Sequence, residues 1–363
     1  MRRPMSTDFT QPSRRTLLRT GAGLGAAALS AVVLAACSTG TANGDAAGTP
    51  AVSGGTFPVT VKHAFGETVI QKQPQRVATV AWVNDDIAIA LGVVPVGLPK
   101  IEWGGNDKGS SPWKDAALEK LGASFGSAKA PAQYSEADGI NFTEVAKTSP
   151  DVILAAYSGL SREDYDKLSK IAPVIAYPEL AWGTPWQEAT ALIGKAMGKE
   201  TEAAGLVKSV ESQIKDKAAA HSAIAGKSFI FGNLEPGKGD GVNVYTASDN
   251  RPRFLTATGM TLAPVVADKA KGSKEFFIPW SAEKANELVS DVFVTWVPDD
   301  KTTDAIKKDP LLGQIPAIKN DALVAFADKT VTLSLSASSP LSLPWALDNV
   351  LDQLAAAAQK AGK

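Results

Sequence analysis

From Arg76 onward the chain alternates short apolar, β-branched runs with segments whose apolar positions recur every three or four residues. That alternation of strand and helix patterns is what a parallel α/β fold requires. RVATVAW (76–82) reads as a strand, DDIAIALG (85–92) as a short helix with Asn84 or Asp85 at its N-cap, and VPVGLP (94–99) as the next strand. The unit recurs. DVILAAY (151–157) is followed by the helical SREDYDKLSKI (161–171), opened by a capping box of Ser161 and Asp164, and then by the strand PVIAYP (173–178). Between 199 and 221, Ala203, Leu206, Val207, Val210 and Ile214 share one helical face. Glu200 and Glu202 lie at its start and Lys215, Lys217 and His221 toward its end, the order the helix dipole favours. At about 1.5 Å per residue this helix extends about 34 Å, enough to cross from one domain to another. The strand pattern restarts in SFIFGNL (228–234), GVNVYTA (241–247) and DVFVTWV (291–297), with a helix from Arg251 and an amphipathic closing helix over about 344–361.

The pattern predicts an α/β protein of two parallel-sheet lobes, 58–198 and 224–363, joined by one long spanning helix over 199–223. A faint internal echo supports related halves. Thr143-Glu144-Val145 precedes Asp151-Val152-Ile153 as Glu283-Lys284-Ala285 precedes Asp291-Val292-Phe293.

The first 57 residues belong to neither lobe. Residues 1–36 combine five basic residues and one acid with an uncharged apolar stretch from 21 to 36, the layout of a signal peptide rather than a stable spanning helix. Ser13-Arg14-Arg15-Thr16-Leu17-Leu18 resembles a twin-arginine export signal, with Leu17 where phenylalanine is frequent, so the general route stays open. Cys37, the single cysteine, has no disulfide partner, and Leu34-Ala35-Ala36-Cys37 resembles a bacterial lipobox, in which the sulfur takes a diacylglycerol. The small polar residues from 38 to about 55 then read as a flexible tether, 37–57. Without residues 1–36 the chain carries a formal charge of about −5, which argues against a nucleic-acid partner.

Chemistry-bearing residues are sparse. The two histidines, His63 and His221, are far apart in sequence, and no H-x-x-x-H, C-x-x-C, G-x-S-x-G or phosphate-loop pattern occurs, so a histidine-cluster zinc site cannot be assembled and a serine hydrolase would have to recruit one of two poorly placed histidines. Tryptophan is the conspicuous type, eight against five tyrosines. Trp82 ends the first strand, Trp103 follows the second, Trp182 and Trp186 flank a Gly-Thr-Pro turn, and Trp296 closes a strand. Ligands of parallel α/β domains bind beyond the carboxyl ends of strands, so these positions read as a partly aromatic cleft, whereas Trp113 and Trp345 fall in helical segments and read as structural. Arg251 and Arg253, in SDNRPRFL, are either a pair for anionic ligand oxygens or solvated ion-pair residues.

Several segments, among them RVATVAWVNDDIAIALGVVPVG (76–97), SPDVILAAYSGLSREDYDKLSKIAPVIAYP (149–178), WGTPWQEATALIGKAMGKE (182–200) and ASSPLSLPWALD (337–348), resemble the iron-siderophore substrate-binding lipoproteins of bacterial ABC importers. Proteins of the wider class bind haem or cobalamin. The resemblance implies a shallow ligand cleft between lobes bridged by a single helix. It further implies a monomer, lipid-anchored at the extracytoplasmic face of the cell membrane, which captures a ferric siderophore, presents it to an ABC permease and catalyses nothing. No cofactor or protein-held metal is implied, because the chelator holds the iron. Ligand contacts are expected from Trp82, Trp103, Tyr157, Trp182, Tyr245, Arg251, Arg253 and Trp280. Permease docking is expected from Glu283, eight residues before Asp291, and in the first lobe from Glu144, with Glu136 or Asp138 as substitutes because Thr143 stands at the matching position. The alternatives are the same fold holding haem or cobalamin, and an envelope polysaccharide hydrolase working through a carboxylate pair.

Overall fold

Two short strands with one buried face open the computed structural model, which describes residues 55–238 and 241–361. The expectations for 1–36, Arg14, Arg15, Cys37 and all but the last residues of the 37–57 tether lie outside the described residues. Strands β1 (Val59–His63) and β2 (Gly66–Ile70) pair antiparallel, turning Val61, His63, Thr68 and Ile70 inward. His63 accordingly serves structure, with its Nε2 2.9 Å from Thr68 Oγ1.

The first lobe follows the predicted strand and helix alternation through β3 (Val77–Thr79), α1 (Asn84–Ala90), β4 (Gly97–Pro99), α2 (Pro112–Lys120), β5 (Ala132–Tyr134), α3 (Phe142–Lys147), β6 (Val152–Ala155), α4 (Arg162–Leu168), β7 (Val174–Ala176) and α5 (Trp186–Ala196). Its five strands lie in the order β5-β4-β3-β6-β7, all parallel. Helices cover both faces, so strands that are apolar throughout are satisfied on both sides. In β6, Val152 and Leu154 enter one core while Ile153 and Ala155 enter the other. The capping box of Ser161 and Asp164 is formed at the start of α4. The N-cap expected at Asn84 or Asp85 is not, because Val83 holds that position at φ 61° and Asn84 is spent on other bonds.

Helix α6 (Glu200–Ala219) is the spanning rod. Ala203 packs in the first-lobe core, Val210, Ile214 and Ala218 pack in the second, and Leu206 touches both. His221 ends it by bonding the Lys217 carbonyl at 2.9 Å through Nδ1 and Asp352 at 3.0 Å through Nε2.

The second lobe comprises β8 (Ser228–Leu234), β9 (Val242–Tyr245), α7 (Asn250–Ala257), β10 (Thr261–Leu262), α8 (Pro264–Lys269), β11 (Phe277–Trp280), β12 (Val292–Trp296), α9 (Asp300–Lys308), α10 (Pro316–Lys319), β13 (Leu323–Phe326), α11 (Lys329–Ser336) and α12 (Ser342–Ala358). Its sheet runs β11-β9-β8-β12-β13, with β10 beside β8. Here the expectation of a second parallel sheet is corrected, since β9 runs antiparallel to both β8 and β11. The connection 235–241 is too short for the crossover that a parallel neighbour needs, so β9 folds back as a hairpin.

A further connection ties the lobes. Leu333 and Ala337, from α11 and the corner after it, are buried in the first-lobe core, and Trp345 of α12 meets Trp113 at 5.3 Å between ring centres. The described residues therefore form one compact unit built on the two lobe sheets and the small β1-β2 sheet.

Candidate ligand-binding cleft

A cavity of about 410 Å³ lies where the carboxyl ends of β3 and β6 face the second lobe. That volume is within the range of small-molecule sites. Its first-lobe wall is Trp82, Trp103, Tyr157 and Trp182; Asn233, Tyr245, Asp249, Arg251, Phe276 and Trp296 form the other wall, with Thr332 and Ser336 of α11 beside them.

Backbone strain displays the first-wall tryptophans. Ala81 and Val83, on either side of Trp82, have φ of 59° and 61°, and Trp182 itself has φ 58°. Such left-handed non-glycine residues persist only where their surroundings hold them. Asn84 supplies that hold. Its Nδ2 donates to the carbonyls of Val80 (2.9 Å), Trp82 (2.9 Å) and Tyr157 (3.0 Å), and its Oδ1 accepts the Tyr157 N–H at 3.1 Å. Glu136 accepts the Ala81 N–H at 2.9 Å, and burial, reinforced by the Asp85 and Glu102 carboxylates against that bond, pushes its carboxyl up to about 7. Trp182 donates its backbone N–H to Ser158 at 2.9 Å, and its indole nitrogen lies so near Gly159 that a Cβ there would approach it to 2.2 Å. Trp82 remains 45% exposed, and Trp103 and Trp182 each 38%, an unusual exposure for so large an apolar group. The rings meet edge to face or tilted: Trp82 with Trp182 at 6.0 Å, Tyr157 with Trp182 at 5.5 Å, and Trp103 with Trp296 at 5.5 Å across the lobes.

Behind Trp82 lies a buried polar knot. The Lys114 ammonium contacts Asp85 and lies 3.7 Å from Asp86, all three side chains being nearly inaccessible. Asp86 also accepts from Trp113 Nε1 at 2.7 Å and from Ser339 Oγ at 2.8 Å, the latter carried by the corner between α11 and α12. Burial raises its carboxyl to about 6, with Lys114 opposing and Asp85 reinforcing the rise.

The second wall carries charge. Asp249 caps α7 and grips Arg251 in a bidentate pair, accepting from Nε and Nη2 at 2.7 Å each. The guanidinium carbon lies 3.5 Å from the centre of the Tyr245 ring. Burial opposes the Arg251 charge, yet Asp249 more than offsets it and keeps the guanidinium ionised. Desolvation raises the phenols of Tyr157 and Tyr245, so both stay neutral at physiological pH.

Six of the eight predicted ligand residues, Trp82, Trp103, Tyr157, Trp182, Tyr245 and Arg251, are thus brought together. Two are corrected. Arg253 turns aside, donating to the carbonyls of Gly183 (3.0 Å) and Ala247 (3.1 Å), and borders a separate hollow with Glu179 and Glu188. Trp280 shares its strand face with Ile278 and packs into the second-lobe core, bonding the Lys284 carbonyl at 3.0 Å under the Lys269 ammonium. Trp296, placed among the cleft aromatics by its strand end but not among the expected ligand contacts, lines the cleft, whereas Trp186 of the same set is buried in the core; Asn233, Asp249, Phe276, Thr332 and Ser336 carried no comparable mark.

Of the docking carboxylates, Glu283 is exposed on a short 3-10 segment and Glu144 is ion-paired with Lys147 at 2.6 Å on α3. Asp138 is exposed, whereas Glu136 faces inward as the anchor of Ala81 and is withdrawn as a substitute.

Parallel strands, a bridging helix and an aromatic cleft between two lobes define a solute-receptor architecture. The chain belongs to the periplasmic binding protein family, whose sequence profile matches residues 77–330. Its fold is similar to that of PiaA from Streptococcus pneumoniae TIGR4 in complex with ferrichrome, with a TM-score of 0.77 and 38% identity over 84% of this chain and 99% of that one. It is 24% identical to the ferric enterobactin-binding periplasmic protein FepB of Escherichia coli O6:H1, over 79% of this chain and 89% of the relative. The Bacillus subtilis protein YhfQ is 25% identical over 80% of this chain and 85% of the relative. Members of this family are solute-binding proteins, and no helix among the described residues is long and apolar enough to cross a membrane.

Proposed function

We propose that the protein is an extracytoplasmic receptor that captures a ferric siderophore and delivers it to an ABC permease, held at the membrane by a lipid on Cys37 and acting as a monomer. The observation that carries this reading is the cleft of four tryptophans contributed by both lobes, in a chain 38% identical to a ferrichrome-bound receptor. Indole rings supply flat, weakly hydrated area that fits a bulky chelate. Against haem held by an axial protein ligand stands the chemistry of the wall: its phenols are held neutral by burial, and neither His63 nor His221 lines it. Glycan hydrolysis would call for two working carboxylates, and the one carboxylate lining the cleft, Asp249, is committed to Arg251.

Titration with ferric chelates is expected to quench the tryptophan fluorescence saturably while the visible spectrum of the chelate stays unchanged. A shift in that spectrum, or the absence of quenching by every iron chelate, would reject the reading. Docking through Glu283 in the second lobe and Glu144 or Asp138 in the first is part of the same proposal. Glu283→Ala is expected to leave chelate affinity intact and to slow uptake into cells; weakened binding would remove it from that role.

A further inference from the structure

On the siderophore reading, the charge of the cleft decides which chelates it accepts. The ionised groups along it are Asp249 and Arg251, and they are locked to each other through two parallel N–H to oxygen bonds of 2.7 Å. The other arginine that could have added positive charge, Arg253, is spent on two backbone carbonyls and faces a different hollow. Everything else on the walls is indole, neutral phenol, phenyl, amide or hydroxyl. The lining of the cleft is therefore electroneutral as well as aromatic, while the Arg253 charge, outside the lining, is still felt at Tyr157.

We propose that Asp249 is a specificity residue: by holding Arg251 in a bidentate pair it cancels the cation of the cleft and restricts the receptor to ferric chelates without net charge. Moving an anion out of water is compensated only where an opposite charge is available to meet it. A ferric tris-hydroxamate centre is uncharged, because its three hydroxamates cancel the charge of the iron, and ferrichrome adds no charge to it. A ferric tris-catecholate is a trianion and would meet no free countercharge here. Were Arg251 to turn toward it, the Asp249 carboxylate would be left buried beside the incoming anion. The pair is also rigid, because Asp249 caps α7 through the Arg251 N–H at 2.9 Å and Tyr245 backs the guanidinium.

The test is a fluorescence titration of the full chain with ferrichrome and with ferric enterobactin, on the wild type, Asp249→Asn and Arg251→Gln. Asparagine retains the N-cap, so Asp249→Asn keeps the start of α7 while freeing one positive charge. The wild type is expected to prefer ferrichrome at least about tenfold. Asp249→Asn is expected to cut that preference by about tenfold or reverse it, with the gain for the trianion fading at high salt as a charge effect must. Arg251→Gln, leaving a lone carboxylate, is expected to widen the preference. The opposite signs distinguish charge selection from general damage to the site, and circular dichroism checks that each variant is folded. A wild type that prefers the trianion, or two variants that move the preference in the same direction, would overturn the inference and leave the siderophore reading standing. Quenching by neither chelate would overturn the inference, and the siderophore reading with it once a ferric carboxylate chelate also fails to quench.

Discussion

The two walls of the cleft solve different problems with different materials. The first-lobe wall is built from indoles on loops, held by residues in left-handed conformations and by the side chains of Asn84 and Glu136. The second-lobe wall rises from regular elements, with Tyr245 on β9, Trp296 on β12 and the Asp249 and Arg251 pair at the start of α7. Contact area is thus displayed at a cost in backbone strain on one side, and orientation and charge balance are provided without it on the other. A neutral site has to gain affinity from shape and desolvation, and the strained wall carries that burden.

The largest expected effect tests what braces the strained wall. Lys114→Met leaves two buried carboxylates without their cation and is expected to destabilise the fold by about 3 kcal/mol or more in chemical denaturation. Adding Asp85→Asn and Asp86→Asn should restore much of that loss; no recovery would mean that Lys114 matters for packing rather than charge. A smaller effect sharpens the contrast between the walls. Trp82→Ala should weaken ferrichrome binding by about 2 kcal/mol, about thirtyfold, and Phe276→Ala by less than about tenfold. Equal losses would erase the distinction drawn between area and orientation.

The remaining effect is seen only as a dependence on pH and concerns the anchor of Ala81. Unfolded, Glu136 loses its proton near its ordinary 4.5, but folded it keeps it to about 7. Between those values the folded state binds more protons, so its contribution to stability is full below pH 4.5 and is lost as the pH rises through 7, at up to about 1.4 kcal/mol per pH unit. Glu136→Gln, which mimics the protonated form, should therefore raise Tm at pH 8 and leave it nearly unchanged at pH 4. A Tm gain at pH 4 alone would reverse the assigned sign.

How far all this was legible in the sequence depends on the kind of signal. Helix α6 was readable because its apolar spacing and charge order are local, as was the capping box of α4. Trp82, Trp103 and Trp182 were readable from their place after strands. Strand direction was not, because alternation along 241–247 is the same in a parallel and an antiparallel neighbour, and the short connection was the better guide. Trp280 was misplaced through parity alone: β11 turns Phe277 toward one core and Ile278 with Trp280 toward the other. For Arg251 the partner lay two residues upstream, but a capping aspartate and a guanidinium clamp look alike until the backbone fixes the turn.

The corner between α11 and α12 reaches further than its size suggests. Besides α6, the lobes are fastened where Ser339 meets Asp86 at 2.8 Å and where Thr330 Oγ1 donates to the Gly104 carbonyl, next to Trp103, at 2.9 Å. A plate on one pin swings, whereas a plate bolted at several points is a bracket. Fastened in this way, the cleft has a preset aperture, so that under the proposed function a chelate would be gauged for bulk at the mouth instead of being wrapped after it arrives.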